Sequence, residues 1–338
     1  MVTIRDVARE AGVSTSTASR VLDERLPPSR TAAADRVRKA AADLGYVRDP
    51  LASGLRRAGT STVGVIVPRL TDTVMAILYE EIAGAAAARG LFAVVATTGD
   101  RPEAERVAVQ SLVRRRVDGI IRTTARLDAP LHLDEATSAT KQVLALRSDG
   151  VLPAAVGDDQ LGGYLATRKL IDLGHRRIGL VSGPEYATSA ARRRDGYVSA
   201  LEESGIEVDT TIMVGDSFSM EAGERAGHDL FDRPDRPTAV FAVNDNTAIG
   251  VLAAAAARGL RVPDDVSLIG YNDIPVVGRL PVPLTTVRVP FGQIAAGALQ
   301  LLLDATDAVA PDGGGAPRTL TYPPTLIPRR STRALPAG

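Results

Sequence analysis

The chain has 338 residues, 40 Lys and Arg against 40 Asp and Glu, and no cysteine. At 45% hydrophobic and 24% charged it is ordinary globular material, with length for two or three domains. The lack of cysteine excludes a disulfide scaffold, a thiolate zinc site and a cysteine nucleophile, and the dispersed His132, His175 and His228 make no ligand cluster.

The opening MVTIRDVARE is charged and has no apolar core, so no secretory signal is expected. Apolar stretches such as AIGVLAAAAA (248–257) are too short to span a bilayer, and a soluble cytoplasmic protein is the expectation. The neutral balance hides an asymmetry: residues 1–60 carry 11 basic and 7 acidic side chains. A basic head on an acidic body suggests a polyanion for the head, although a fluctuation along a solvated surface gives the same count.

In the head, Thr3-Ile4-Arg5-Asp6 reads as a near capping box, and Ile4, Val7, Ala8 and Ala11 then fall on one helical face. Gly12 supplies a turn. Ser14 caps a second helix with Thr17, Ala18, Val21 and Leu22 inward. A third helix runs from about Thr31 to Leu44, stopped by Gly45. The pattern fits a helix-turn-helix, or any small helical hairpin. In a helix-turn-helix the second helix enters the major groove, and its outer side would show Thr15, Ser16, Ser19 and Arg20.

From Ser61 strands alternate with helices. STVGVIVP (61–68) is a buried strand, followed by a helix over Thr73–Arg89, strand LFAVVAT, a helix from Pro102 to about Arg116, and strand VDGII. The rhythm repeats with helices over 159–173, 188–204, 219–230 and 244–257 between strands RIGLVSG, TIMVG, AVFAV and VSLIGY. Two such sets predict an α/β body of two parallel subdomains. Pro68-Arg69-Leu70 follows the first strand where a nucleotide enzyme would carry glycines. No GxGxxG, GxxxxGK[ST] or GxSxG occurs, so no enzyme and no cofactor is expected. The alternative is a small-molecule binding protein of the periplasmic type, against which the basic head argues.

TIRDVAREAGVSTSTASRVLDE, LGYVRDPLASGLRR, STVGVIVP, LIDLGHRRIGLVSGP, ARRRDGY, the run from Arg236 to Pro275 and PLTTVRVP resemble, in order and over nearly the whole chain, the lactose-repressor (LacI) family of bacterial transcription regulators. The resemblance implies a homodimeric repressor of a catabolic or transport operon that reads a near-palindromic operator. It further implies control by a small molecule, a sugar or sugar derivative, bound between two lobes of a periplasmic-binding-protein-like body. It divides the chain into a DNA-binding domain at 1–48, a hinge helix and linker at 49–60, and an effector-binding and dimerisation domain at 61–330. Lobe 1 would take about 61–158 and 287–317, and lobe 2 about 159–286 and 318–330. The last crossing between lobes would fall near 318–321.

By the same resemblance the DNA contacts are Thr3, Ser14, Thr15, Ser16, Thr17, Ser19, Arg20 and Ser29 of the head and Leu51, Ala52 and Leu55 of the hinge, with Leu55 as a minor-groove wedge. Arg48-Asp49 and Ser53 depart from the family's hinge. The effector contacts are Thr123, Arg147, Arg193, Phe218, Asn244 and Asn272. Asp245 and Asp273 read as helix-cap or turn residues. Asp72-Thr73-Val74-Met75 stands where sugar binders carry Asn-Pro-Phe-Phe, and Arg147 and Asn272 replace common acidic residues. Arg147 and Arg193 on opposite lobes suggest an anionic effector, unless Arg147 is paired with Asp158, Asp245 or Asp273.

Overall fold

The computed structural model describes residues 2–23, 27–46, 60–128, 137, 139–307 and 317–335. The chain divides into two compact units, Met1–Thr60 and Ser61–Gly338. The expected hinge residues Leu51, Ala52 and Leu55 lie outside the described residues.

The first unit holds three helices, α1 (Ile4–Glu10), α2 (Thr15–Val21) and α3 (Ala32–Asp43). Their starts are set by local chemistry. Ser14 Oγ accepts the Thr17 N–H at 3.1 Å, and Thr31 Oγ1 accepts the Ala34 N–H at 3.3 Å. Gly12 turns the chain at φ +63°, a conformation that costs glycine little. The apolar positions spaced at three and four residues meet in one small core of Val7, Ala8, Ala11, Ala18, Val37, Ala40 and Ala41. Arg36 Nε ties α3 to the end of α1 through the Ala11 carbonyl at 3.2 Å.

The second unit contains two six-stranded sheets. The first has the order β2 (Phe92–Thr97), β1 (Thr62–Val67), β3 (Gly119–Arg122), β4 (Gln142–Ala145), β5 (Ala154–Gly157), β11 (Thr319–Tyr322), all parallel. The helices α4 (Thr73–Ala87), α5 (Pro102–Arg114) and α10 (Phe291–Asp307) pack against it. The second has the order β7 (Met213–Val214), β6 (Ile178–Val181), β8 (Ala239–Ala242), β9 (Ser267–Asn272), β10 (Thr285–Arg288), β12 (Thr325–Ile327). Only β12 runs antiparallel in it. Its helices are α6 (Asp159–Asp172), α7 (Thr188–Glu203), α8 (Met220–Phe231) and α9 (Asp245–Ala257). A parallel sheet must be covered on both faces, which is why β3, β4, β6 and β8 are buried along their whole length.

The chain passes between the lobes three times: after Gly157, after Arg288 and after Tyr322. The last passage corrects the sequence expectation. Thr319–Tyr322 pairs with Ala154–Gly157 of the first sheet, so these residues belong to lobe 1 and the crossing is made by Pro323-Pro324. Neither proline has an N–H to donate to a ladder, and the strand ends there.

In lobe 2, α6 and α7 touch backbone to backbone. A Cβ on Gly163 would lie 2.1 Å from the Arg193 carbonyl oxygen, and one on Gly196 2.0 Å from that of Gln160. Glycine is the one residue that permits this approach.

Candidate functional site

The head presents an exposed polar face. Ser16 and Arg20 are exposed on α2, and Thr15 and Ser19 are half-buried beside them. The remaining expected contacts have local tasks. The Thr3 hydroxyl donates to Asp6 Oδ2 at 2.7 Å and its N–H to the same oxygen at 2.9 Å, which holds the exposed Asp6 carboxyl below its ordinary range. Ser14 is the α2 cap, with Ser16 Oγ and Thr17 Oγ1 at 2.9 and 2.8 Å. Ser29 Oγ lies 3.3 Å from Thr31 Oγ1. Ser16, Ser19 and Arg20 thus form the outward strip, and Thr3, Ser14, Thr17 and Ser29 shape it.

In the body the loops after the strands face one another across a cleft, where ligands of open α/β sheets gather. They enclose a cavity of about 430 Å³, within the ordinary range for a small-molecule site. Arg147, Arg193, Phe218, Asn244 and Asn272 all line it. Thr123 does not. It is fully buried, its hydroxyl donates to the Ile66 carbonyl at 3.2 Å, and Met75 Sδ lies 3.4 Å away. Consecutive strand residues point to opposite faces, and Thr123 is turned into the sheet. Its neighbour Thr124 donates to Glu105, which pairs with the buried Arg122.

Of the three arginines that line the cavity, Arg147 and Arg193 have a carboxylate partner, and Arg69 is exposed. Arg193 Nε lies 2.8 Å from Asp159 Oδ1, its Nη1 donates to the Val243 carbonyl at 2.7 Å, and its guanidinium stacks 3.8 Å above the Tyr271 ring. Tyr271 donates to the same Asp159 oxygen at 3.1 Å. Burial pushes the Asp159 carboxyl up against the pull of Arg193. Arg147 lies 3.3 Å from Asp100 Oδ1, with its guanidinium 5.7 Å from the rings of both Tyr186 and Phe218. Its partner is therefore none of Asp158, Asp245 and Asp273, and it stays in the cleft wall.

Asp100 also accepts the Tyr186 hydroxyl at 2.7 Å across the lobes, and burial followed by that bond raises the tyrosine pKa. Two further hydrogen bonds cross nearby, Leu127 N–H to the Tyr186 carbonyl at 3.0 Å and Ser148 N–H to Thr188 Oγ1 at 3.1 Å. On the opposite side Asn246 Nδ2 donates to Asp72 Oδ1 at 3.3 Å.

Asn244 lines the cavity, yet its amide is engaged within its own lobe. Oδ1 accepts the Thr247 N–H at 2.8 Å as the α9 cap, and Nδ2 donates to the Phe218 carbonyl at 3.0 Å. Asp245 lies behind the cavity wall, where it accepts the Thr286 hydroxyl at 2.7 Å and the Ile274 N–H at 2.9 Å. Burial pushes its pKa up to about 7. These bonds brace the turn at Asn272 and Asp273, whose φ values are +110° and +59°. Asp273 binds Arg288 and Arg329 at 2.7 and 2.6 Å, so its turn assignment gains an ion-pair role.

Asp72, Asp100, Tyr186 and Asn246 were not among the expected contacts, and all four line the cavity. Asp72 and Asp100 follow the first two strands, and that position, together with the place of Asp72 where sugar binders carry asparagine, is the sequence signal that points to them.

The arrangement agrees with comparisons to known proteins. Residues 3–49 match the model of bacterial regulatory proteins of the lacI family, and residues 167–332 match a periplasmic binding protein-like domain. The chain is 33% identical to the HTH-type transcriptional repressor CytR of Escherichia coli K12 over 99% of this chain and 97% of that protein. Among solved structures it is similar to the transcriptional regulator CelR in complex with cellobiose, at 30% identity and a TM-score of 0.73 over 98% and 100% of the two chains. It is also similar to the lac repressor dimer bound to operator and the anti-inducer ONPF, at 27% identity and a TM-score of 0.83 over 98% and 99%.

Proposed function

The chain belongs to the lacI family of bacterial regulatory proteins, and from that premise we propose that it couples operator binding by its head to an uncharged sugar or sugar derivative held in its cleft. It is a DNA-binding transcriptional repressor and not an enzyme. As a homodimer in the cytoplasm it reads a near-palindromic operator of a catabolic or transport operon, one half-site per head. Ser16, Ser19 and Arg20 contact phosphate and base edges. Leu51, Ala52 and Leu55 form the hinge, with Leu55 opening a base step. The ligand alters lobe closure, and closure alters the heads, a coupling of about 1–3 kcal/mol.

The observation that carries the ligand class is the pairing of the two buried cleft arginines, Arg147 with Asp100 and Arg193 with Asp159; the third arginine of the lining, Arg69, is exposed. Each cation is already balanced by a carboxylate, so the two arginines no longer argue for an anion. The remaining lining combines amides, hydroxyls and two aromatic rings, Tyr186 and Phe218, with the charged Arg69, Asp72 and Glu221, and its hydrogen-bonding groups and rings suit a polyhydroxylated ring. Cellobiose in the CelR complex supports the same class.

Operator selection on the purified chain, repeated with a panel of sugars, nucleosides and carboxylates, tests this. We expect a near-palindrome whose occupancy changes with an uncharged sugar. Residues 61–338 alone should keep the thermal stabilisation by that sugar, about 2.7 kcal/mol at 100 times its Kd, and select no sequence. A truncated body that still selects the operator would overturn the assignment of the head.

A further inference from the structure

Asn246, in the first turn of α9, is 8% exposed and lines the cavity. Its amide nitrogen donates across the lobes to Asp72 Oδ1. That bond fixes the orientation of the amide, because the flipped form would set its oxygen against a carboxylate. Asn246 Oδ1 is thereby left buried with no hydrogen-bond partner among the described residues. Buried polar atoms are almost always paired, so this exception calls for a reason. With the lobes in this position solvent does not reach Oδ1.

Asp72 stands beside it in the same cavity wall. It caps α4 through the Val74 N–H at 3.1 Å, and burial raises its pKa despite that bond and the one from Asn246. Asn244, two residues earlier, has both ends of its amide engaged in its own lobe, whereas the Asn246 amide oxygen is unpaired. Arg69 and Arg147 act on Asp72 from nearby, but at the Asp72 and Asn246 oxygens themselves an anionic group finds no donor. A hydroxyl or an amino group meets two acceptors, one from each lobe.

We propose that Asp72 and Asn246 form a two-lobed acceptor clamp for a hydrogen-bond donor of the effector, a sugar hydroxyl or amino group, and that this clamp sets the effector's chemical class. The inference rests on the cleft being the effector site. It also gives the Asp72 departure from the family's asparagine a purpose: a carboxylate accepts where an amide could present a donor.

The test is calorimetric titration of the full-length chain with uncharged pentoses, hexoses and disaccharides. The best binder is then compared with each of its monodeoxy analogues and with its aldonic acid and its phosphate. Wild type, Asp72→Asn, Asn246→Leu and Phe218→Ala are titrated in parallel. Asp72→Asn keeps a competent helix cap, and Asn246→Ser, which retains a short acceptor, replaces the leucine variant if that one unfolds. Wild type should prefer the uncharged sugar over its acid and phosphate, and Asp72→Asn should narrow that gap at least about tenfold. One deoxy analogue should lose about tenfold in wild type and nothing in Asn246→Leu, a coupling that a merely structural asparagine would not produce. Preference for the acid or phosphate, or equal deoxy losses in wild type and Asn246→Leu, overturns the clamp while the cleft stands. Sugar binding unchanged in Phe218→Ala, or no binding by any member of the panel, overturns the cleft itself.

Discussion

Arg9 in the head and Arg193 in the body both bind an aspartate, and the two pairs differ in almost every other respect. Arg9 reaches Asp6 one turn back along α1, and the side chains are 80% and 34% exposed. Arg193 reaches Asp159 on another helix, 34 residues away, with 7% and 8% exposure. The contrast extends through both units. The head closes over a core in which alanines outnumber valines, and keeps its chemistry outside on α2. The body has a large core and keeps its chemistry inside, in charge pairs assembled from separate helices, strands and loops. An exposed pair is screened by water and contributes little, whereas a buried one constrains what surrounds it. The head can therefore change its outward residues at little cost to folding, and the cleft cannot.

The sharpest way to break this comparison is to remove one arginine from each pair. Arg193→Ala leaves Asp159 buried without its partner and should cost about 3–5 kcal/mol in denaturant unfolding. Arg9→Ala should leave the unfolding curve where it was. Equal shifts would show that the Arg193 pair is as hydrated as the surface one.

A second test uses pH. Burial moves the Asp245 pKa from its ordinary 3.8 to about 7, so the folded body holds a proton that the unfolded chain has released. The stability linked to Asp245 is fully present below pH 3.8 and is lost as pH rises toward about 7. Relative to Asp245→Asn, the wild type should lose a few kcal/mol over that window in unfolding measured at successive pH values. A constant difference between the two proteins would mean that Asp245 stays ionised when folded. Asp6 of the head is shifted the other way, its carboxyl held below the ordinary range by hydrogen bonds from Thr3, so the stability linked to it is lost as pH falls rather than as it rises.

The smallest effect is on DNA. Arg20→Ala should weaken binding to the selected operator by about 1–3 kcal/mol while leaving the unfolding of both units unchanged. Loss of stability together with affinity would place Arg20 in the head's own packing and erase the distinction between an outward and an inward arginine.

The same contrast decides what could be read from the chain alone. Ile4, Val7, Ala8 and Ala11 announce α1 because their contacts follow helical spacing, and Ser14 and Thr31 cap helices a few residues away. The cleft was legible only as far as strand ends go. Asn244 stands in the cavity wall as expected, but its amide is committed to Thr247 and Phe218. The significance of Asn246 depends on Asp72, 174 residues away, and no local pattern carries that pairing. Thr123 follows its strand at the right height and points to the wrong side. The strand TLTY has the same alternation whichever sheet it joins, so the last crossing was placed too early.

The glycine contact between α6 and α7 bears on how a ligand's pull would travel. α6 begins at Asp158 and Asp159, immediately after the first passage between the lobes, and α7 carries Arg193. Because Gly163 meets the backbone of Arg193 and Gly196 that of Gln160, there is no side-chain layer between the helices to deform. The guanidinium and the first passage between the lobes are thus mounted on one stiff plate. A force applied at Arg193 would meet little local repacking and would turn lobe 2 about that passage, with the cleft as the short arm of a lever.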